Sequence, residues 1–144
     1  MKQVLTGLGP DGRSSVLSVE TVGEVPEPGG MEISKIWSTP SLPPDLGYVR
    51  PKTVDAVERD IGVPLGGASV MYASMGPGRT SPMHRTQTLD VVTIVAGSVE
   101  LVLETGSVQM DPGDCVVMPA VVHSWSAGPE GCVISAMAIG VEAP

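Results

Sequence analysis

The chain has 144 residues and a mass of 14.8 kDa, the size of one ordinary domain, and its 42% hydrophobic content excludes a wholly disordered polymer. Eighteen Gly and 14 Pro exclude a helical bundle, while four aromatic side chains (Trp37, Tyr48, Tyr72, Trp125) and no Phe leave no stacking platform for bases. Eight basic against 16 acidic side chains give a net charge of −8, with no Lys or Arg after Arg85, so nucleic acid or an anionic membrane would be repelled.

The chain is expected to divide near residue 65, into an arm of residues 1–65 and a barrel of residues 66–144. In the arm, Gln3–Leu5 and Ser15–Val19 read as short strands around the turn Gly9-Pro10-Asp11-Gly12. Glu32–Trp37 alternates as a further strand, although both of its faces carry apolar residues. Pro40, Pro43 and Pro44 force a loop. Thr53 is a suitable cap for one short helix whose Val54, Val57 and Ile61 share a face, stopped by Gly62 and Pro64. So proline-rich an arm has no core of its own. It must pack on the barrel, in the same subunit or in a partner.

From Gly66 the pattern turns to dense strands: Ala68–Met75, Leu89–Ala96, Ser98–Glu104, Ser107–Met110, Cys115–Met118, His123–Ser126 and Cys132–Ile139. Gly97, Gly106, Pro112-Gly113 and Gly128-Pro129 mark the expected turns between them. Short strands at such intervals predict an all-β sandwich or barrel, and the lack of strand-helix-strand alternation excludes a parallel doubly wound sheet.

No run of 18 apolar residues is present, and the opening Met-Lys-Gln-Val-Leu-Thr-Gly reaches Gly, Pro and Asp before a signal peptide could form. Cys115 and Cys132 make no disulfide framework and read as reduced thiols, small core residues of a cytoplasmic protein.

The chemistry concentrates in His84-Arg85-Thr86-Gln87-Thr88-Leu89-Asp90. In an extended chain His84, Thr86, Thr88 and Asp90 share one face, and the apolar Val92 and Ile94 that continue it mark that face as the inner one. The segment therefore sets an imidazole, two hydroxyls and a carboxyl group at the polar mouth of an apolar interior. An inward carboxylate with no Lys or Arg partner costs several kcal/mol on the order of the buried-charge penalty. A metal ion, a protonated histidine or a wet mouth would each relieve it. His123, the second of the chain's two histidines, opens a strand with Trp125 on its own side.

These residues carry a resemblance. Gly78, His84, Asp90 and Gly97 stand at the spacings of the first signature of the cupin superfamily, with Asp for Glu and Thr86 for the second His. Gly113, Pro119 and His123 resemble its second signature, with His123 one residue early, Val121 for a Gly and no closing Asn. The runs His-Arg-Thr-x-Thr-Leu-Asp and His-x-Trp are similar to a subgroup of small single-domain cupins. The matched region covers about residues 68–140, roughly half the chain.

The resemblance implies a double-stranded β-helix, a jelly-roll-like barrel, preceded here by the irregular arm with its short helix. Carried over residue by residue, it implies His84, Asp90 and His123 as the site, able to hold a divalent Fe, Mn, Zn or Ni ion, with no organic cofactor. Thr86, Thr88, Trp125 and Arg79 are candidate pocket residues, although the threonines are equally suited to local packing, Trp125 to the core and Arg79 to the surface. Met71, Met75, Met110, Met118 and Met137 suit core filling or an adaptable pocket wall.

Three functions are compatible with this pattern. The first is a metal-assisted enzyme of lyase, isomerase or oxygenase type acting on a small, mostly apolar metabolite. The second is a metal-free His/Asp acid-base dehydratase or isomerase, of the kind used in secondary metabolism. The third is a non-catalytic small-ligand-binding cupin. The expected partners are a small-molecule substrate and a second copy of the chain as a homodimer, with neither nucleic acid nor membrane.

Overall fold

The computed structural model describes residues 2–44 and 61–142. All regular structure among them is β: β1 (Lys2–Leu8), β2 (Ser14–Thr21), β3 (Val25–Glu27), β4 (Met31–Thr39), β5 (Ala68–Met75), β6 (Thr88–Leu103), β7 (Gly106–Met110), β8 (Cys115–Pro119) and β9 (His123–Gly140). No helix occurs among the described residues. The helix expected from Thr53, through Val54 and Val57, lies outside them, and its last apolar position, Ile61, sits in irregular chain against the core.

β1 and β2 form a separate antiparallel hairpin around the expected turn, where the Gly12 N–H donates to the Gly9 carbonyl at 2.9 Å. All other strands share one antiparallel sheet in the order β3-β4-β5-β9-β6-β7, with β8 on β6. The first 65 residues thus supply two strands, β3 and β4, to the barrel's own sheet. β4 explains the doubly apolar pattern of Glu32–Trp37. Ile33 and Ser34 point to opposite faces and both are buried, so this strand is covered on each side.

The expected turns at Gly97 and at Gly128-Pro129 are not turns. β6 and β9 run through them and pair from Thr88↔Gly140 to Leu103↔His123, with register shifts between Ile94 and Ala96 and between Gly97 and Val99. Gly97 (φ 70°) and Gly131 (φ 81°) sit where the two strands bend, and a Cβ on Gly97 would run into the Gly131 carbonyl oxygen. These are bulges, which turn a strand while it stays paired.

Bending makes two sheets out of the shared strands. One half of β9 lies between β5 and the first half of β6; its other half lies between the second half of β6 and residues 78–84. That last segment is held by bonds such as Gly78 N–H to the Gly128 carbonyl and Ser81 N–H to the Trp125 carbonyl. The bulge also changes which parity faces inward: Val92 and Ile94 before it, Val99 and Leu101 after it. With Ile33, Ala73, Met75, Met110, Met118, Trp125 and Ile134 they form the core between the sheets.

Candidate functional site

His84 and His123 face each other across two adjacent chain segments. Their backbones exchange both hydrogen bonds at 2.9 Å, and their rings lie 4.4 Å apart between centroids, tilted by 51°. His123 is buried and His84 is exposed, so the pair runs from the interior to the mouth.

Each ring is anchored in the same way. Nδ1 of His84 meets the Pro82 carbonyl at 2.9 Å, and Nδ1 of His123 meets the Val121 carbonyl at 3.0 Å. A carbonyl oxygen only accepts, so both Nδ1 atoms carry the proton and each neutral ring presents a bare Nε2. Burial holds the His123 imidazole below the ordinary histidine value. The bond to Val121 and the Asp90 charge oppose that shift, and the His84 charge adds to it. Trp125 packs edge-on behind His123 at 5.8 Å and is buried, so it is core and backstop to the ring.

Asp90 is half-buried, within reach of water, and held by hydroxyls. Thr88 Oγ1 donates to Thr86 Oγ1 at 2.8 Å, and Thr86 Oγ1 donates to Asp90 Oδ2 at 3.1 Å. Thr88 is buried and Thr86 exposed, so this relay climbs from the interior to the rim. The cost of an inward carboxylate is met by a wet mouth and a hydroxyl donor.

The structure therefore brings His84 to His123, and Thr86 and Thr88 to Asp90. It does not gather the three expected ligands: among the described residues, no three His, Cys, Asp or Glu side chains stand together as a group able to hold a metal ion. As arranged, His84, Asp90 and His123 do not fit a three-ligand metal centre.

Other expected pocket residues lie elsewhere. Arg79 lines a separate cavity of about 550 Å³ with Gly30, Glu32 and Glu130, none of which belongs to the histidine pair's surroundings. Met75, Met110 and Met118 are core and Met71 packs against it, but Met137 is exposed on the outer face of β9. Both cysteines are free; Cys132 is buried, whereas Cys115 is exposed on β8 and is no core residue.

One inner-face residue is absent from the sequence-based expectations. Ser69 is fully buried and its Oγ has no hydrogen-bond partner among the described residues. It pairs in register with Ala138, which pairs in turn with Asp90, so the orphan hydroxyl and the carboxylate occupy one row of the inner wall. The signal is the alternation Ser69, Met71, Ala73, Met75 in β5, where one polar residue stands among inward apolar ones.

No protein-family model matches the chain. The chain is similar to the cupin-domain-containing oxidoreductase fogC of Aspergillus ruber, with 32% identity over 130 residues covering 84% of this chain and 61% of that protein. It is also similar to the cupin-domain-containing oxidoreductase srdD of Neurospora crassa, with 42% identity over 60 residues, 41% of this chain and 31% of that one. The chain thus spans about a third to three fifths of the length of these curated relatives. Among solved structures, an RmlC-like cupin from Shewanella frigidimarina superposes with a TM-score of 0.54 at 12% identity, covering 81% of this chain and 82% of that one. The barrel and its paired signatures define a double-stranded β-helix protein. The chain is a member of the cupin superfamily.

Proposed function

We propose that this cupin converts a small, mostly apolar molecule by proton transfer at the barrel mouth, in an isomerisation or dehydration next to a carbonyl group. The observation that carries this reading is the stacked imidazole pair, each Nδ1 bound to a backbone carbonyl and each Nε2 free. His123 is the general base: burial keeps its ring neutral and its Nε2 lone pair available. The Asp90 charge stabilises the imidazolium that forms when it takes a proton. The His123 imidazolium then returns a proton to the product, and His84 lies between it and solvent at the exposed end of the pair. Trp125 beside His123, and the core it shares with Val92 and Ile94, are apolar and suit a substrate with little charge.

The two relatives are named oxidoreductases. Proton removal beside a carbonyl is a component of such chemistry, and it is the component these residues supply. A metal-assisted step would need a third ligand beside the histidines, and the described residues do not offer one.

The test is solvent deuterium wash-in at carbon. A panel of apolar β-diketones and hydroxyketones is incubated with the protein in D₂O and followed by NMR. Wild type is expected to accelerate exchange of the proton next to the carbonyl on at least one member, and His123→Ala to reduce that rate by about 10²-fold or more. Exchange that continues unchanged in a folded His84→Ala/His123→Ala double variant would overturn the reading.

A further inference from the structure

We infer that the centre operates without a bound metal ion because Thr86 and Thr88 commit the Asp90 carboxylate to a hydroxyl relay. The inference concerns the same site as the proton-transfer reading and deepens it by assigning two positioning residues.

A divalent ion held by protein needs at least three well-placed donors. Both histidines qualify as donors, since each carries its proton on Nδ1 and leaves Nε2 free. Asp90 does not stand with both histidines as a metal-holding group among the described residues, and its Oδ2 is turned to the Thr86 hydroxyl at 3.1 Å. Releasing it would have a cost. Thr86 is itself the acceptor for the buried Thr88 hydroxyl at 2.8 Å, so the relay has a direction fixed from inside the barrel. Thr88 gives its proton to Thr86, and Thr86 must give its own to Asp90.

The threonine at 86 also stands, on the chain, between the first histidine and the carboxylate. Its side chain touches the carboxylate. A neutral hydroxyl is a weak ligand for Fe, Mn, Zn or Ni, whereas an imidazole at the same position would join the histidine pair to Asp90. Thr86 thus holds the carboxylate by a hydrogen bond, and the carboxylate acts on His123 through its charge.

Metal binding tests this directly, with Zn(II) and Mn(II) titrated calorimetrically into chelator-stripped protein. Wild type is expected to bind neither at the level of one equivalent. Thr86→His is expected to gain a site, with affinity about 100-fold above wild type. Thr86→Val, which keeps the shape and frees Oδ2, is expected to raise Zn(II) affinity, and Thr86→Ser, which restores the hydroxyl, to return it to the wild-type level. One tightly held equivalent in wild type, lost in Asp90→Ala, would overturn the inference. So would Thr86→Val and Thr86→Ser behaving alike. Neither result touches the deuterium experiment, and a failed wash-in leaves the metal titration standing, so the two readings fail separately.

Discussion

Burial pushes the His123 imidazole below the usual histidine value near 6.5, while the Val121 carbonyl and the Asp90 charge pull the other way and lose. Because the folded chain gives up this proton more readily than the unfolded one, the unfolded state binds more protons below that value. Stability therefore falls as the pH drops through about 6.5 toward the lower folded value, and is flat in pH above it. Thermal unfolding followed between roughly pH 8 and pH 5 is expected to show this loss in wild type and a shallower one in His123→Gln. A loss of equal steepness in the variant would assign the effect to other groups. The residue types at this centre are legible in sequence: period-two spacing puts Thr86, Thr88 and Asp90 together, and hydrogen bonds join them. Ser69 is legible only as a polar residue among inward apolar ones in β5; that its hydroxyl is unpaired among the described residues shows only in the structure.

At the scale of elements, the barrel depends on two strands long enough to serve both sheets. Gly97 and Gly128 read as turn residues in sequence because glycine marks either a chain reversal or a bulge, and only pairing distinguishes them. Here β6 stays paired with β9 on either side of both glycines. Gly97 has a positive φ and the Gly131 carbonyl lies where its side chain would start. Gly97→Ala is therefore expected to destabilise the fold by roughly 2–4 kcal/mol, combining backbone strain with a clash against main chain. Gly106→Ala, at the first residue of β7 with open space around it, is the control and should cost far less. Chemical denaturation of the two variants checks the contrast; equal midpoints would mean that the bend tolerates a side chain. β3 is hidden in the sequence for a related reason, since the proline of Val25-Pro26-Glu27 disguises a strand lying at the sheet's end.

At the scale of the whole molecule, the β1–β2 hairpin is the part least supported by the rest. Among the described residues it pairs only with itself; it is anchored by the Gln3 side-chain amide donating to the Ile36 carbonyl, and exposes Val4, Leu8, Val16 and Val19. A two-stranded hairpin is marginal in water, and a contiguous apolar face favours a covering partner. A homodimer sealed over this face is the expected state. Light scattering after size exclusion should give about 30 kDa, twice the 14.8 kDa chain, and Val4→Asp/Val19→Asp should halve it without unfolding the barrel. A wild-type mass near that of one chain would dismiss the dimer. No helix among the described residues is long and apolar enough to cross a membrane.

Local pattern by itself determined the class of fold, the run of strands from residue 68 onward and the inward face of Thr88, Asp90, Val92 and Ile94, because alternation along a strand is a property of neighbouring residues. Tertiary structure alone decided what those residues meet. Whether Gly97 ends a strand or bends it and whether Arg79 joins the histidines or lines another cavity both depend on distant segments. The same holds for the facing of His84 by His123, which β6, β7 and β8 separate along the chain. Contacts of that kind are fixed by strand register and bulges across the whole sheet, and short-range spacing carries no record of them.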